Sequence, residues 1–166
     1  MVSVLTERLE VRSPIEADRA RFVELFQSED FMVFSDGVHS AESAHARFDE
    51  MLRTAAEVPF AKQPLIERST VTIVGYAGVA WFDFEGERRL EFGWRLVPEA
   101  RGHGYATEAG RALLALAAES FRGEILAMID PANTPSKNVA AKLGFVFWKQ
   151  AQVDGYWDDM FRRAFP

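Results

Sequence analysis

The chain has 166 residues, 48% of them apolar and including 14 Phe and 4 Trp, which is enough for one sizeable core and one domain, Met1 to Pro166. It contains no cysteine, which excludes disulfides, thiolate metal sites and cysteine nucleophiles and suits a reducing cytoplasm. A net charge of −6 and a pI near 5.1 argue against nucleic acid as a partner, and no stretch approaches the roughly 18 uninterrupted apolar residues of a membrane span.

Leu9 and Val11 alternate with polar neighbours as a first strand. Ser13-Pro14-Ile15-Glu16 has the form of a capping box with proline at the first helical position, so a helix is expected to about Phe26. Ser40 is expected to cap a second helix to about Ala56, with Ala44, Phe48, Met51 and Leu52 on its apolar face. Between them, Phe31 to His39 is long, aromatic and contains Asp36-Gly37; it reads as a lid over a site or as a hydrophobic clamp on the core.

From Gln63 to Val97 β-branched and aromatic residues dominate, punctuated by Gly75, Gly78 and Gly86, which predicts three antiparallel strands. Helix spacing returns after Gly104, with Ala109, Leu113, Leu116 and Ala117 on one face, and ends near Arg122-Gly123. Glu124 to Ile129 is a buried strand, and Pro135 to Leu143 a short helix stopped by Gly144. Phe145 to Gln152 and Tyr156 to Phe165 flank Asp154-Gly155, a hairpin turn. This order predicts an α/β (α+β) fold: one domain, with a mixed sheet of about seven strands and helices on both faces.

The stretch from Leu90 to Ala106 carries the chemistry. A strand runs into a loop with Gly102 and Gly104 that opens a helix, which turns several main-chain N–H groups and the positive end of the helix dipole toward one point. A pyrophosphate suits such a point, and Arg101 adds positive charge. The Lys-Ser/Thr pair of a Walker loop is absent, and Gly102-His103-Gly104-Tyr105-Ala106-Thr107 does not complete a dinucleotide fingerprint.

Arg101, Gly104 and Ala106 resemble the acetyl-CoA signature of the GNAT superfamily, Q/R-x-x-G-x-G/A. Some thirty residues on, Asn133-Thr134-Pro135-Ser136-Lys137-Asn138-Val139-Ala140-Ala141-Lys142-Leu143-Gly144-Phe145 is similar to that superfamily's second cofactor motif, N-x-x-S-x-x-v-x-x-K-l-G-F. The wording of both segments resembles most the branch of the ribosomal-protein N-terminal acetyltransferases, the Rim type. The resemblance implies a cytoplasmic N-acetyltransferase, hence an acyltransferase. It would move an acetyl group from acetyl-CoA to a primary amine, on a protein N-terminus or a small molecule, by direct attack through a tetrahedral intermediate. A homodimer is compatible with it.

The resemblance also implies a mostly antiparallel, twisted GNAT-like sheet whose fourth strand, near Phe92 to Val97, carries a bulge and splays from the fifth, Glu124 to Ile129. The pantetheine arm would then bond the main chain of Leu96 and Val97, and Arg101, Gly102, His103, Gly104, Tyr105 and Ala106 would hold the pyrophosphate. Asn133, Ser136 and Asn138 are candidates for further polar contacts to the cofactor, although Asn133 before Thr134-Pro135 also reads as a helix cap.

An alkyl ammonium must lose a proton before it attacks a thioester, and Glu91, on the opposite strand face from Phe92, Trp94 and Leu96, is the expected base. Many family members place a tyrosine acid where this chain has Ala140; Ser136 is the alternative donor, or a structural serine at a helix start. Phe34 in the lid and Asp159 on the last strand are expected to meet the acceptor. Asp158 is its rival, because adjacent strand residues face opposite ways. His39, His45 and His103 form no ligand set, so no metal is expected. Two alternatives stand beside this: a non-catalytic acyl-CoA sensor or scaffold, motivated by Ala140, and a different donor such as succinyl-CoA, hinted at by Arg95.

Overall fold

Eight strands form one sheet in the order β1-β2-β3-β4-β5-β6-β8-β7 in the computed structural model, which describes residues 1–35 and 37–166. Asp36 of the expected Asp36-Gly37 turn lies outside the described residues. The elements are β1 (Ser3–Leu5), β2 (Leu9–Arg12), α1 (Arg19–Phe26), α2 (Ala41–Glu57), β3 (Gln63–Glu67), β4 (Thr72–Phe84), β5 (Glu87–Leu96), α3 (Tyr105–Ser120), β6 (Gly123–Ile129), α4 (Thr134–Lys142), β7 (Val146–Val153) and β8 (Tyr156–Phe165). All pairings are antiparallel except β5 with β6.

The strand beyond the expected seven is β1. Three residues with two exposed side chains carry no readable periodicity, and pairing with β2 forms it. Ser13 serves that strand rather than a helix, since its Oγ accepts the Val2 N–H at 2.9 Å. The expected capping box is absent. Instead the Asp18 carboxylate accepts the Ile15 N–H at 2.9 Å and both Arg12 terminal nitrogens at 2.8 Å, closing a 3-10 turn over Glu16–Asp18 so that α1 starts at Arg19. Ser40 does cap α2, accepting the Ser43 N–H at 3.1 Å.

Strand alternation divides the core. On one face Leu9, Val11, Leu65, Ala77, Val79, Phe92 and Ile125 pack beneath Ala109, Leu113 and Ala117 of α3. On the other, Tyr76 meets Phe22, Phe26 and Phe31, and Phe48 stacks on Phe22, the aromatic filling between β4 and helices α1 and α2. Farther along that second face the β4–β5 and β7–β8 hairpins meet: Phe84 packs on Trp148 at 6.1 Å, Lys149 pairs with Glu85, and Leu126 and Met160 lie buried with them. Tyr156 and Trp157 stay exposed on the outer hairpin. Between the two clusters runs a strip of half-buried residues, Ala80, Glu91, Gly93, Met128 and Asp158.

The strip borders a gap in the sheet. β5 and β6 pair only at Leu90–Ile125 and Glu91–Leu126, then continue to Leu96 and Ile129 without a ladder. The expected bulge in β5 is not there, because β4 and β5 stay in unbroken register from Phe84–Glu87 to Gly75–Leu96. Extra residues occur instead opposite β3, at Val74, and opposite β8, at Trp148. The gap thus comes from divergence of two twisted strands and not from an inserted residue.

Candidate active site

The loop leaving β5 is bent by Pro98–Ala100 and then by two left-handed glycines, Gly102 with φ 78° and Gly104 with φ 82°. Glycine occupies that region without the Cβ clash other residues suffer. The main-chain N–H groups of Gly102, His103, Gly104, Tyr105, Ala106 and Thr107 find no acceptor among the described residues, and the first bond of α3 runs from the Glu108 N–H to the Gly104 carbonyl. Successive unpaired donors at the positive end of a 16-residue helix make a cradle for an anion.

A second set of bonds fixes the loop from behind. Arg8 Nη1 donates to the His103 carbonyl at 2.7 Å, and the Glu108 carboxylate accepts the Arg8 N–H and Nε, both at 2.8 Å, and the Thr6 hydroxyl at 2.6 Å. Tyr105 donates its hydroxyl to Glu67 beneath the Arg8 guanidinium. Tyr105 can therefore offer an anion its main chain, while its side chain anchors the helix. Arg8 carries no signal in the sequence, because its partners lie about a hundred residues away.

Burial raises the Glu108 carboxyl pKa, but the bonds from Thr6 and Arg8 outweigh it and hold the group below its ordinary range. A depressed carboxyl adds stability above its unfolded pKa and loses it as pH falls through the folded value. We expect Glu108→Ala to cost about 1–3 kcal/mol at pH 7. Urea unfolding across pH should show the deficit narrowing below about pH 4.3, the unperturbed glutamate value.

Arg101 points elsewhere than expected. Its Nε donates to the Leu96 carbonyl at 3.1 Å and its Nη2 to the Asp30 carbonyl at 2.6 Å, so the guanidinium lies against the segment joining α1 to α2. Val97 is also corrected: its N–H donates to the Val74 carbonyl at 2.9 Å, toward β4. Alternation then turns the main chain of Leu96 and Trp94 toward the gap, where β5 has no strand partner beyond Glu91. Trp94, rather than Val97, thus joins Leu96 in facing the gap.

Glu91 faces the half-buried strip, 3.4 Å from Lys62 Nζ, with both side chains largely covered. It lies forward along its strand over Gly93, where a Cβ would stand 2.8 Å from Glu91 Oε1. Lys62 reaches it because Gly78 lets the Ala61–Lys62 main chain cross close to β4; a Cβ there would lie 2.1 Å from the Ala61 carbonyl oxygen. Asp158 joins from β8, its carboxyl raised first by burial and then by the charges of Asp130, Glu91 and Asp159. At the opposite end of the strip burial raises the Tyr76 phenol, but Lys62, Arg47 and Arg95 overcome it and bring it to about 7.

Asp159 does not reach this face. It is buried toward α4, where it pairs with Lys137 at 2.6 Å and accepts from Gln150 at 2.8 Å, and the Lys137 bond holds its carboxyl low. Its neighbour Asp158, and not Asp159, lies on the strip with Glu91. Asn133 caps α4, accepting the Ser136 N–H at 3.2 Å, while Asn138 is exposed and Ser136 half-buried in the first turn. Ala140 carries no proton to donate and is fully buried in the core.

Phe34 is exposed, with φ 59°, in the segment between α1 and α2. That segment clamps the core through Phe31 and Met32, which sit in the aromatic cluster, while Val33, Phe34 and Val38 face outward. Arg95 Nη1 donates to the carbonyls of Phe31 at 3.2 Å and Val33 at 2.6 Å, which engages the group that hinted at an anionic acyl tail. Among the described residues no three His, Asp or Glu side chains stand close enough to hold a metal ion, and no helix is long and apolar enough to cross a membrane.

Comparison with known proteins bears on this geometry. Residues 8–146 match the family model of the Acetyltransferase (GNAT) domain. The Bacillus subtilis (strain 168) protein named Uncharacterized N-acetyltransferase YnaD is 28% identical over 165 residues, spanning 95% of this chain and 94% of its own. A Bordetella pertussis protein described as a GnaT-family acetyltransferase superposes with a TM-score of 0.86 at 24% identity, covering 99% of this chain and 100% of that one. The Salmonella typhimurium protein yncA, solved with its cofactor acetyl-CoA, superposes with a TM-score of 0.70 at 19% identity over 96% and 95% of the two chains. At these identities the structural likenesses establish the fold.

Proposed function

The chain belongs to the GNAT acetyltransferase family and is an acyltransferase, and on that premise we propose that it moves an acetyl group from acetyl-CoA to a primary amine. The observation that carries this reading is the row of unpaired N–H groups from Gly102 to Thr107 beside an unpaired strand edge. The first suits a diphosphate and the second an extended amide arm, and CoA contains both in that order. Gly102 to Ala106 would hold the diphosphate through their main chain, and the Trp94 main chain and the Leu96 N–H the pantetheine, since the Leu96 carbonyl already accepts from Arg101.

Acetyl-CoA supplies an acyl group activated as a thioester; the chain must deliver a neutral amine to it. Glu91, or a water it orients, accepts the proton of the incoming ammonium. Asp158, which lies on the strip with Glu91, and Asp130, whose charge reaches Asp158, draw a cation to that side of the strip. Direct attack then gives a tetrahedral intermediate, with main-chain N–H groups at the gap available to its oxyanion. No tyrosine acid is needed in principle, since a thiol of pKa about 8.5 can leave as thiolate. Ser136, half-buried at the start of α4, remains the nearest hydroxyl of the second motif.

Released thiol should appear when the protein is incubated with acetyl-CoA and a panel of primary amines, including peptides with free N-termini and small polyamines. The fully buried Ala140 favours a second reading, a sensor that binds acyl-CoA without chemistry. Calorimetric binding of CoA with no thiol release from any amine is the result that selects it.

A further inference from the structure

We propose that Arg101 is a positioning residue that ties the donor loop to the segment joining α1 to α2, that this segment acts as a lid beside the acceptor face, and that Arg101 is not a ligand of the cofactor's diphosphate. The inference rests on the donor-site reading above for the location of the diphosphate. Arg101 opens the glycine loop, yet both its polar contacts are carbonyls outside that loop: that of Leu96 at the end of β5 and that of Asp30 after α1. A guanidinium donating to two carbonyls on one side has its planar fork already directed, and turning it toward the amides of Gly102 to Ala106 would leave both carbonyls without that donor.

Arg95 repeats the arrangement from the strand. Its Nη1 holds the carbonyls of Phe31 and Val33, so two arginines from consecutive parts of the donor framework grip residues 30, 31 and 33. Phe31 and Met32 anchor the same stretch in the aromatic core beside Tyr76, whereas Val33 and Phe34 stand exposed beyond it. The grip falls at the base of the lid, where a change in main-chain position moves everything after it.

A mechanical consequence follows. When an anion takes up the free N–H groups after Arg101 it stiffens the loop, and the Arg101 side chain passes that order to Asp30 and the lid. Coupling of this kind is reciprocal, so the lid's state feeds back on CoA affinity, though weakly when one hydrogen-bonding side chain carries it. The positive charge still favours an anionic donor at a distance, without contact.

Calorimetry with CoA and amide hydrogen exchange of residues 30–35 test this in the full-length chain, for wild type, Arg101→Gln and Arg101→Lys. The expected result is a CoA Kd within about threefold of wild type in both variants. In wild type CoA should slow lid exchange by about tenfold, a protection lost in Arg101→Gln and partly kept in Arg101→Lys. A Kd weakened more than about tenfold in Arg101→Gln, or lid protection equal to wild type, overturns the proposal. Should wild type itself not bind CoA, the donor-site reading fails instead. The role of Arg101 is then decided by lid exchange in the free protein: faster in Arg101→Gln supports it, unchanged exchange overturns it.

Discussion

Replacing Glu91 with Gln is expected to lower kcat by about a hundredfold or more with any amine the protein accepts, while CoA affinity stays within about threefold. The size follows from the chemistry of the acceptor. At neutral pH an alkyl amine with a pKa of about 10.4 is almost wholly protonated, so the step depends on a group that takes the proton. Glu91 is the carboxylate on the strip immediately before β5 and β6 part. Gln keeps the shape that lies over Gly93 but removes the charge facing Lys62. Because that leaves a largely covered ammonium unmatched, thermal unfolding should accompany the kinetics, and Lys62→Met with Glu91→Gln should recover stability without recovering rate. An unchanged kcat in a folded Glu91→Gln protein would remove Glu91 from the chemistry.

The second large effect belongs to Gly104. Gly104→Val should weaken CoA binding by more than about a hundredfold, as calorimetry would read it, while far-UV circular dichroism stays near wild type. At φ 82° a β-branched residue is strained by about 1–3 kcal/mol. Its Cβ would stand 3.4 Å from Arg8 Nη2, so the added methyls must displace the arginine that holds the His103 carbonyl. The row of donors then loses its convergence. Gly102→Ala is the milder control: a Cβ there meets nothing within 4 Å, so only the φ of 78° is penalised. Equal affinity in Gly104→Val and wild type would detach the loop from CoA.

What the sequence disclosed was local. Glycines at two positions of one loop, the capping serine of α2 and the opposite facing of Glu91 and Phe92 depend on neighbours a few residues away, and the structure keeps them. Choosing between Asp158 and Asp159 needed the register of β8 against β6 and the position of α4, because Lys137 is what draws Asp159 away. Lys62 belongs to no motif; the close crossing permitted by Gly78 brings it to Glu91. Arg101 matched its motif as a letter, but the 3-10 turn before it decides which way the side chain runs. Ser13 looked like a cap because the pattern S-P-x-E says so, and a strand of three residues that no periodicity announces took its hydroxyl instead.

A crystal structure of the chain with CoA bound tests the donor site at atomic distance. The expected result is diphosphate oxygens within hydrogen-bonding reach of the N–H groups between Gly102 and Ala106, pantetheine amides against Trp94 and Leu96, and Arg101 still on the Asp30 carbonyl. A diphosphate bound away from those amides, with the gap between β5 and β6 empty of ligand, would contradict it.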